Sequence, residues 1–300
     1  MRPLRHFLSS DDISPAEQEE LIARARELKR GHEGRPLEGL TVGLLFEKPS
    51  TRTRVSLEVA VVELGGHAVV LRAEELQLGR GETLEDTARV LSRYLDCLVV
   101  RTFAQKRLET LASASSIPVV NALTDLEHPC QALADLMTIA ERFEDIAAVE
   151  LAYVGDGNNV CHSLLLAGAK AGLAALRVAC PPGYEPDPRV VERARAGTRV
   201  IVGDDPAGAC RGAHVLYTDV WASMGQESER GARLEAFRGF DLSAKRLGEA
   251  ARGAIVLHCL PAHRGEEIAA EVIDGPASAV WDQAENRLHT QKALLEWILT

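Results

Sequence analysis

The sequence predicts an α/β protein of two domains. Each is a parallel sheet flanked by helices; an interdomain helix joins them, and a C-terminal helix packs back. Three observations predict this. Short apolar runs alternate with helix-like segments, which is the signature of strand–helix–strand units. The alternation pauses at one long helical segment, Cys130 to about Phe143, and then restarts. The chain has 300 residues, enough for two separate cores. The expected division is residues 1–140, 141–284 and a returning helix at 285–300.

The elements follow in order. Ser14 and Glu17 have the spacing of a capping box, which opens a helix to about Arg30. "TVGLLF" (41–46) reads as a buried strand, and a helix runs from about Thr51 to Leu64, ended by Gly65 and Gly66. "HAVVL" (67–71) is a second strand. "LQLGRGE" is a polar loop carrying Gln77. Thr83 and Asp86 open another helix, to about Leu95. "CLVV" (97–100) and "IPVVNA" (117–122) are the next strands. After the 130–143 helix, "ELAYVG" is a strand and Val160–Ala171 a helix. Further strands are expected near 175–179, 199–202, 213–218, 254–257 and 278–281. An amphipathic helix closes the chain from Glu285 to Leu299.

Composition narrows the function. The net charge is −10, which argues against a nucleic-acid partner, because a phosphate backbone needs a basic face. No run of about 18 apolar residues exists, so no membrane span is expected. The N-terminus turns acidic quickly and lacks the apolar stretch of a secretory signal. The six cysteines are scattered without a Cys-x-x-Cys pair. Neither a zinc site nor a disulfide framework is expected, and a reducing cytoplasm fits. Arginines number 28 against six lysines, so an Arg-Thr-Arg string means little unless its position supports it.

Position does support it. Ligands of open parallel sheets bind at the carboxyl ends of strands, and that is where the polar groups fall. Ser50, Thr51, Arg52, Thr53 and Arg54 follow the first strand. Basic side chains at a helix start oppose the helix dipole unless an anion sits there. Exposed N–H groups, hydroxyls and guanidinium forks are the parts of a phosphate site. The loop lacks Gly-x-x-x-x-Gly-Lys, so no nucleoside triphosphate is indicated. Arg101 ends "CLVV", and "HPCQ", with His128 and Gln131, follows "VVNA". "GDGNNV" invites a dinucleotide reading through Gly155 and Gly157. The third glycine is missing, however, and no acidic residue ends the next strand. "DVWASMGQE" follows "HVLYT", and "HCLPAHRGEE" follows "AIVL". The ordinary reading of Cys259 alone is a small buried hydrophobe; in this company it faces the same cleft as the rest.

"STRTR", "HPCQ", "DVWASMGQE" and "HCLPAHRGEE", in this order and at compatible spacings, closely resemble the aspartate/ornithine carbamoyltransferase family. The resemblance spans about Phe7 to the last helix. It implies transfer of the carbamoyl group of carbamoyl phosphate to the δ-amine of L-ornithine, giving L-citrulline and phosphate. It implies a homotrimer and neither metal nor organic cofactor. For carbamoyl phosphate it implies Ser50, Thr51, Arg52, Thr53, Arg101, His128, Gln131, Cys259, Leu260 and Arg287, with Gln77 reaching a neighbouring subunit's site. For ornithine it implies Asn159, with the adjacent Asn158 as the other register, and Asp219, Ser223 and Met224. Arg101, His128 and Cys259 are the expected catalytic residues. Whether Asp219 or Cys259 handles the amine proton stays open. The region around Asp219 and Cys259 is acidic to neutral, which favours a cationic amine over aspartate. Putrescine or a modified ornithine remains an alternative to ornithine.

Overall fold

The computed structural model describes residues 4–31, 34–72, 81–222 and 227–300. The chain divides into two compact units, one of Met1–Ala134 with Asn286–Thr300 and one of Asp135–Glu285.

In the first unit, α1 (Pro15–Lys29) opens with the expected capping box: Ser14 accepts from the Glu17 N–H, and the Glu17 carboxylate accepts from the Ser14 N–H. Then come β1 (Thr41–Phe46), α2 (Thr51–Glu63), β2 (His67–Arg72), α3 (Leu84–Leu91), β3 (Cys97–Arg101), α4 (Gln105–Ala114) and β4 (Val119–Leu123). The sheet order is β2-β1-β3-β4, and every pairing is parallel. β1, β3 and β4 are buried almost throughout, as strands covered on both faces must be. Leu45, Leu98, Val100, Leu108 and Val119 form one apolar cluster. The chain turns in opposite directions after β1 and β3, so the gap between their carboxyl ends is the switch point where such sheets take ligands.

α5 (Pro129–Arg142) runs on across the division into the second unit. There follow β5 (Glu150–Val154), α6 (Asn159–Lys170), β6 (Ala175–Ala179), α7 (Pro188–Arg195), β7 (Arg199–Gly203), α8 (Pro206–Cys210), β8 (Val215–Thr218), α9 (Arg230–Ala236), α10 (Ala244–Glu249), β9 (Ile255–His258), α11 (Ala270–Ile273) and α12 (Val280–Leu299). The order is β7-β6-β5-β8-β9, again all parallel, with its switch point between β5 and β8. Phe237 anchors the core; its ring lies 5.7 Å from Trp221, 4.8 Å from Tyr184 and 6.3 Å from Phe240.

One expected strand is absent. Residues 278–281 make a single bridge, Ser278 to Val256, and α12 already starts at Val280, not at Glu285. A three-residue apolar run cannot distinguish a strand from a helix start. Here Val280 is buried while Trp281 is largely exposed, as successive positions on a helix allow. The correction places Gln283 in the first turn of α12 and Arg287 in the turn after it.

Candidate active site

At the first unit's switch point, Ser50 caps α2, its hydroxyl accepting from the Thr53 N–H at 3.3 Å. Thr51 and Arg52 are exposed in the first turn, and Thr53 is buried. Arg54 leans along the helix to Glu58 at 3.8 Å. Arg287 reaches in from α12, donating to Gln131 Oε1 at 2.7 Å and to the Thr53 hydroxyl at 3.2 Å. Arg101 ends β3. His128 is buried and held well below its ordinary pKa of 6.5, first by burial and then by the charges of Arg287 and Arg101. It is therefore a neutral imidazole in a positive environment. Two acids of this unit are engaged in ion pairs: Glu47 pairs with Arg107, and Asp125 with Lys48 at 2.5 Å. Ser50, Thr51, Arg52, Thr53, Arg101, His128 and Gln131 thus lie at strand ends or on the helix starts beside them, and Arg287 of the returning helix belongs to the same unit.

At the second unit's switch point the groups bond to one another. The Asn158 carbonyl caps α6, accepting from Val160 and Cys161 N–H at 3.0 and 3.2 Å. Its amide donates to Asp219 Oδ2 at 2.8 Å. Asp219 Oδ1 accepts from Val220 N–H at 2.8 Å and from the Cys259 thiol at 2.9 Å. Tyr153 donates its hydroxyl to the Asn158 carbonyl at 3.3 Å, and burial holds that phenol well above its usual range, so it stays a donor. Asn158 is thus joined to Asp219, and Asn159 begins α6. Cys259 is the one cysteine of the six that is not buried. Leu260 has φ +59°, which an aliphatic residue adopts only when its surroundings force it. Gln77, Ser223 and Met224 lie outside the described residues.

The glycines of "GDGNN" serve the fold. A Cβ on Gly157 would stand 2.2 Å from the Pro186 nitrogen, so the turn after β5 is glycine because another stretch of backbone crosses it, not to approach a pyrophosphate.

The family model described as "Aspartate/ornithine carbamoyltransferase, carbamoyl-P binding domain" matches residues 5–141, and the one described as "Aspartate/ornithine carbamoyltransferase, Asp/Orn binding domain" matches residues 147–298. The chain belongs to the aspartate/ornithine carbamoyltransferase family. Within that family it is 60% identical to an ornithine carbamoyltransferase of Acidothermus cellulolyticus, over 99% of this chain and 97% of the other. Its fold superimposes on the ornithine carbamoyltransferase of Pyrococcus furiosus with a TM-score of 0.93 at 50% identity, covering 97% and 96% of the two chains. It also matches an acetylornithine transcarbamylase complexed with acetylcitrulline, at TM-score 0.88 and 31% identity over 99% and 100% of the two chains.

Carbamoyltransferase sequence motifs point to the groups above but miss what holds them. Asp156 pairs with Arg233 at 2.7 Å, and the same guanidinium donates to the Trp221 carbonyl at 2.9 Å. Burial raises the Asp156 pKa, and the Arg233 charge opposes that. His258 lies against Glu267 at 3.2 Å, both side chains fully buried. Glu127, next to His128, accepts from the Ser9 hydroxyl at 2.5 Å and from the Ser10 N–H at 2.9 Å. Asp156, Glu267 and Glu127 stood inside or beside quoted motifs, but partners 118 residues away, as for Ser9 and Glu127, leave no local sequence signal.

Proposed function

We propose that the protein is an ornithine carbamoyltransferase, moving the carbamoyl group of carbamoyl phosphate to the δ-amine of L-ornithine in arginine biosynthesis. The observation that carries the reading is the pair of oppositely charged strand-end clusters, within a family whose close relatives bear that name. The first unit, residues 1–140 with the C-terminal helix, takes carbamoyl phosphate; the second, 141–284, takes ornithine.

The chemistry assigns a role to each group. The phosphate leaves with the electron pair of the C–O bond, and its charge is met by Ser50, Thr51, Arg52, Thr53 and the N–H groups opening α2. The carbamoyl oxygen gains charge as the amine adds. Arg101 supplies a cation, and neutral His128 supplies an N–H donor that needs no reorganisation. Arg287 bonds both Gln131 and Thr53, so it fixes two of the groups around the carbamoyl moiety; Leu260 contributes its backbone carbonyl. Ornithine's δ-ammonium has an intrinsic pKa of about 10.4, like lysine, and must lose a proton before its lone pair can attack. Asp219 binds the ammonium, and Asp219 or Cys259, bonded to each other at 2.9 Å, accepts that proton. Asn159, Ser223 and Met224 hold the amino-acid end, with Asn158 setting the posture of Asp219.

We further propose a cytoplasmic homotrimer, with Gln77 completing a neighbour's phosphate site. Sedimentation gives the assembly. Mixing Gln77→Ala with Arg52→Ala subunits should restore part of the activity, since one class of mixed site is intact; verified mixed trimers without recovery refute sharing. The deciding assay for the reaction is citrulline formation from carbamoyl phosphate and ornithine, with aspartate, putrescine and N-acetylornithine as controls. A higher kcat/KM for any control than for ornithine overturns the substrate assignment.

A further inference from the structure

Gln283 is fully buried in the first turn of α12, and none of the roles above uses it. Its Oε1 accepts the backbone N–H of His258 at 2.9 Å. Its Nε2 donates to Asp135 Oδ1 at 2.7 Å and to the Tyr217 hydroxyl oxygen at 3.1 Å. Tyr217 in turn donates its proton to Asp135 Oδ2 at 3.2 Å. Asp135 and Tyr217 are also fully buried.

The chemistry of the neighbours dictates the residue. A backbone N–H can only donate, and a carboxylate can only accept. Glutamine offers an acceptor to one and donors to the other, and the carboxylate fixes which way its amide turns. The N–H it captures lies on β9, the last strand of its sheet. Along that outer edge Val256 exchanges bonds with Ala277 and Ala279, and Gln283 takes the next donor, that of His258. Cys259 and Leu260 follow at once. The Leu260 N–H is held by His258 Nδ1 at 2.9 Å, so that ring's other nitrogen carries the proton facing Glu267. Two bonds therefore pin the turn that carries the Cys259 thiol and the left-handed Leu260: one from Gln283 ahead of it, one from His258 across it.

We propose that Gln283, oriented by Asp135 and Tyr217, is a positioning residue that sets the Cys259–Leu260 turn for carbamoyl transfer. The proposal rests on the functional reading above and deepens it. It explains why a buried carboxylate is retained at Asp135: the carboxylate directs the amide, and the amide directs the turn.

The test uses two substitutions in the full chain. Gln283→Met keeps the volume and removes both hydrogen-bonding functions. It should lower kcat for citrulline formation tenfold or more, raise the carbamoyl phosphate Kd by calorimetry by much less than that, since only the Leu260 carbonyl of that site is displaced, and raise the rate of iodoacetamide alkylation of Cys259, read by peptide mass spectrometry, at least threefold. Gln283→Glu can serve both neighbours only while protonated, with its carbonyl toward His258 and its O–H toward Asp135. Its kcat relative to the unsubstituted protein should therefore recover as pH falls and drop as pH rises. A Gln283→Met protein with unchanged kcat and alkylation rate overturns the proposal. So does a kcat loss that merely tracks lost folded protein or lost carbamoyl phosphate binding, or a folded Gln283→Glu variant with no pH-dependent recovery. If the unsubstituted protein forms no citrulline, the functional reading fails, and the alkylation rates still decide the positioning role.

Discussion

At the β1/β3 switch of the first unit, the groups at the strand ends are guanidiniums, hydroxyls and a neutral imidazole. Arg287 spans Gln131 and Thr53, and burial, helped by the arginine charges, depresses the His128 pKa. At the β5/β8 switch of the second unit, the groups are an amide, a carboxylate and a thiol whose bonds close on each other, with three donors converging on Asp219. The difference teaches how the two proposed receptors would suit ligands of opposite charge. The cationic cluster relies on helix-start N–H groups and long cationic side chains, with Arg287 brought from a distant chain segment. The acidic cluster is a short network whose members hold one another in place.

The largest expected effect attacks the acidic side. Asp219→Asn removes the only charge in the Asn158–Asp219–Cys259 network. Losing one partner of a desolvated charge pair costs about 2–5 kcal/mol, roughly 30- to 4,000-fold. The expected result is that fall in kcat/KM for ornithine with carbamoyl phosphate affinity within twofold, from steady-state kinetics and calorimetry. A parallel fall in carbamoyl phosphate affinity would show that the two clusters are not independent receptors. Cys259→Ser sharpens the same half. A hydroxyl can still donate to Asp219, so the melting temperature should hold, while kcat falls about 100-fold if the thiol takes part in proton transfer; a serine variant at full rate leaves that role to Asp219.

On the cationic side, Arg52→Ala should weaken carbamoyl phosphate binding about tenfold or more, the loss of a charge-assisted contact of about 1.5–3 kcal/mol. Because Arg52 is exposed, the deficit should shrink as salt rises. Calorimetry at two ionic strengths checks both, and unchanged affinity would remove Arg52 from the receptor. The smallest effect is on stability. Folding depresses the His128 pKa, so the unfolded chain binds a proton first. His128 therefore adds stability that is fully present above about pH 6.5 and is lost as pH falls toward its folded value. His128→Gln should flatten the decline by about 1 kcal/mol per pH unit below 6.5, read from urea titrations between pH 7.5 and 5.5. An identical slope would mean that His128 is not the buried neutral group described.

How much of this was legible depended on range. Nine strands were readable because parallel strands are continuous apolar runs; the tenth, at 278–281, failed because three apolar residues suit a helix start equally well. Ser50–Arg54, Arg101, Asp219 and Cys259 were conspicuous because each polar group directly follows such a run. Asn158 and Asn159 could not be separated, since caps and first helical residues differ by one position and only geometry shows which carbonyl turns back on the helix. Gln283, Glu267 and Glu127 were invisible for another reason. Each is an ordinary polar residue in the sequence, and what distinguishes it is a partner placed by the tertiary fold: His258 for two of them, Ser9 for the third.

Leu260 carries a last consequence. Its backbone lies in the left-handed region, where a side chain costs about 1–2 kcal/mol, and its side chain packs partly buried against the second unit's core. Leu260→Gly gives up packing and relieves strain in comparable amounts, whereas a well-buried leucine loses about 2–5 kcal/mol on truncation to alanine. The folded protein would hardly register the exchange. A library sorted only for expression or heat tolerance will therefore accept glycine there, which keeps the backbone carbonyl but frees the turn that the leucine holds.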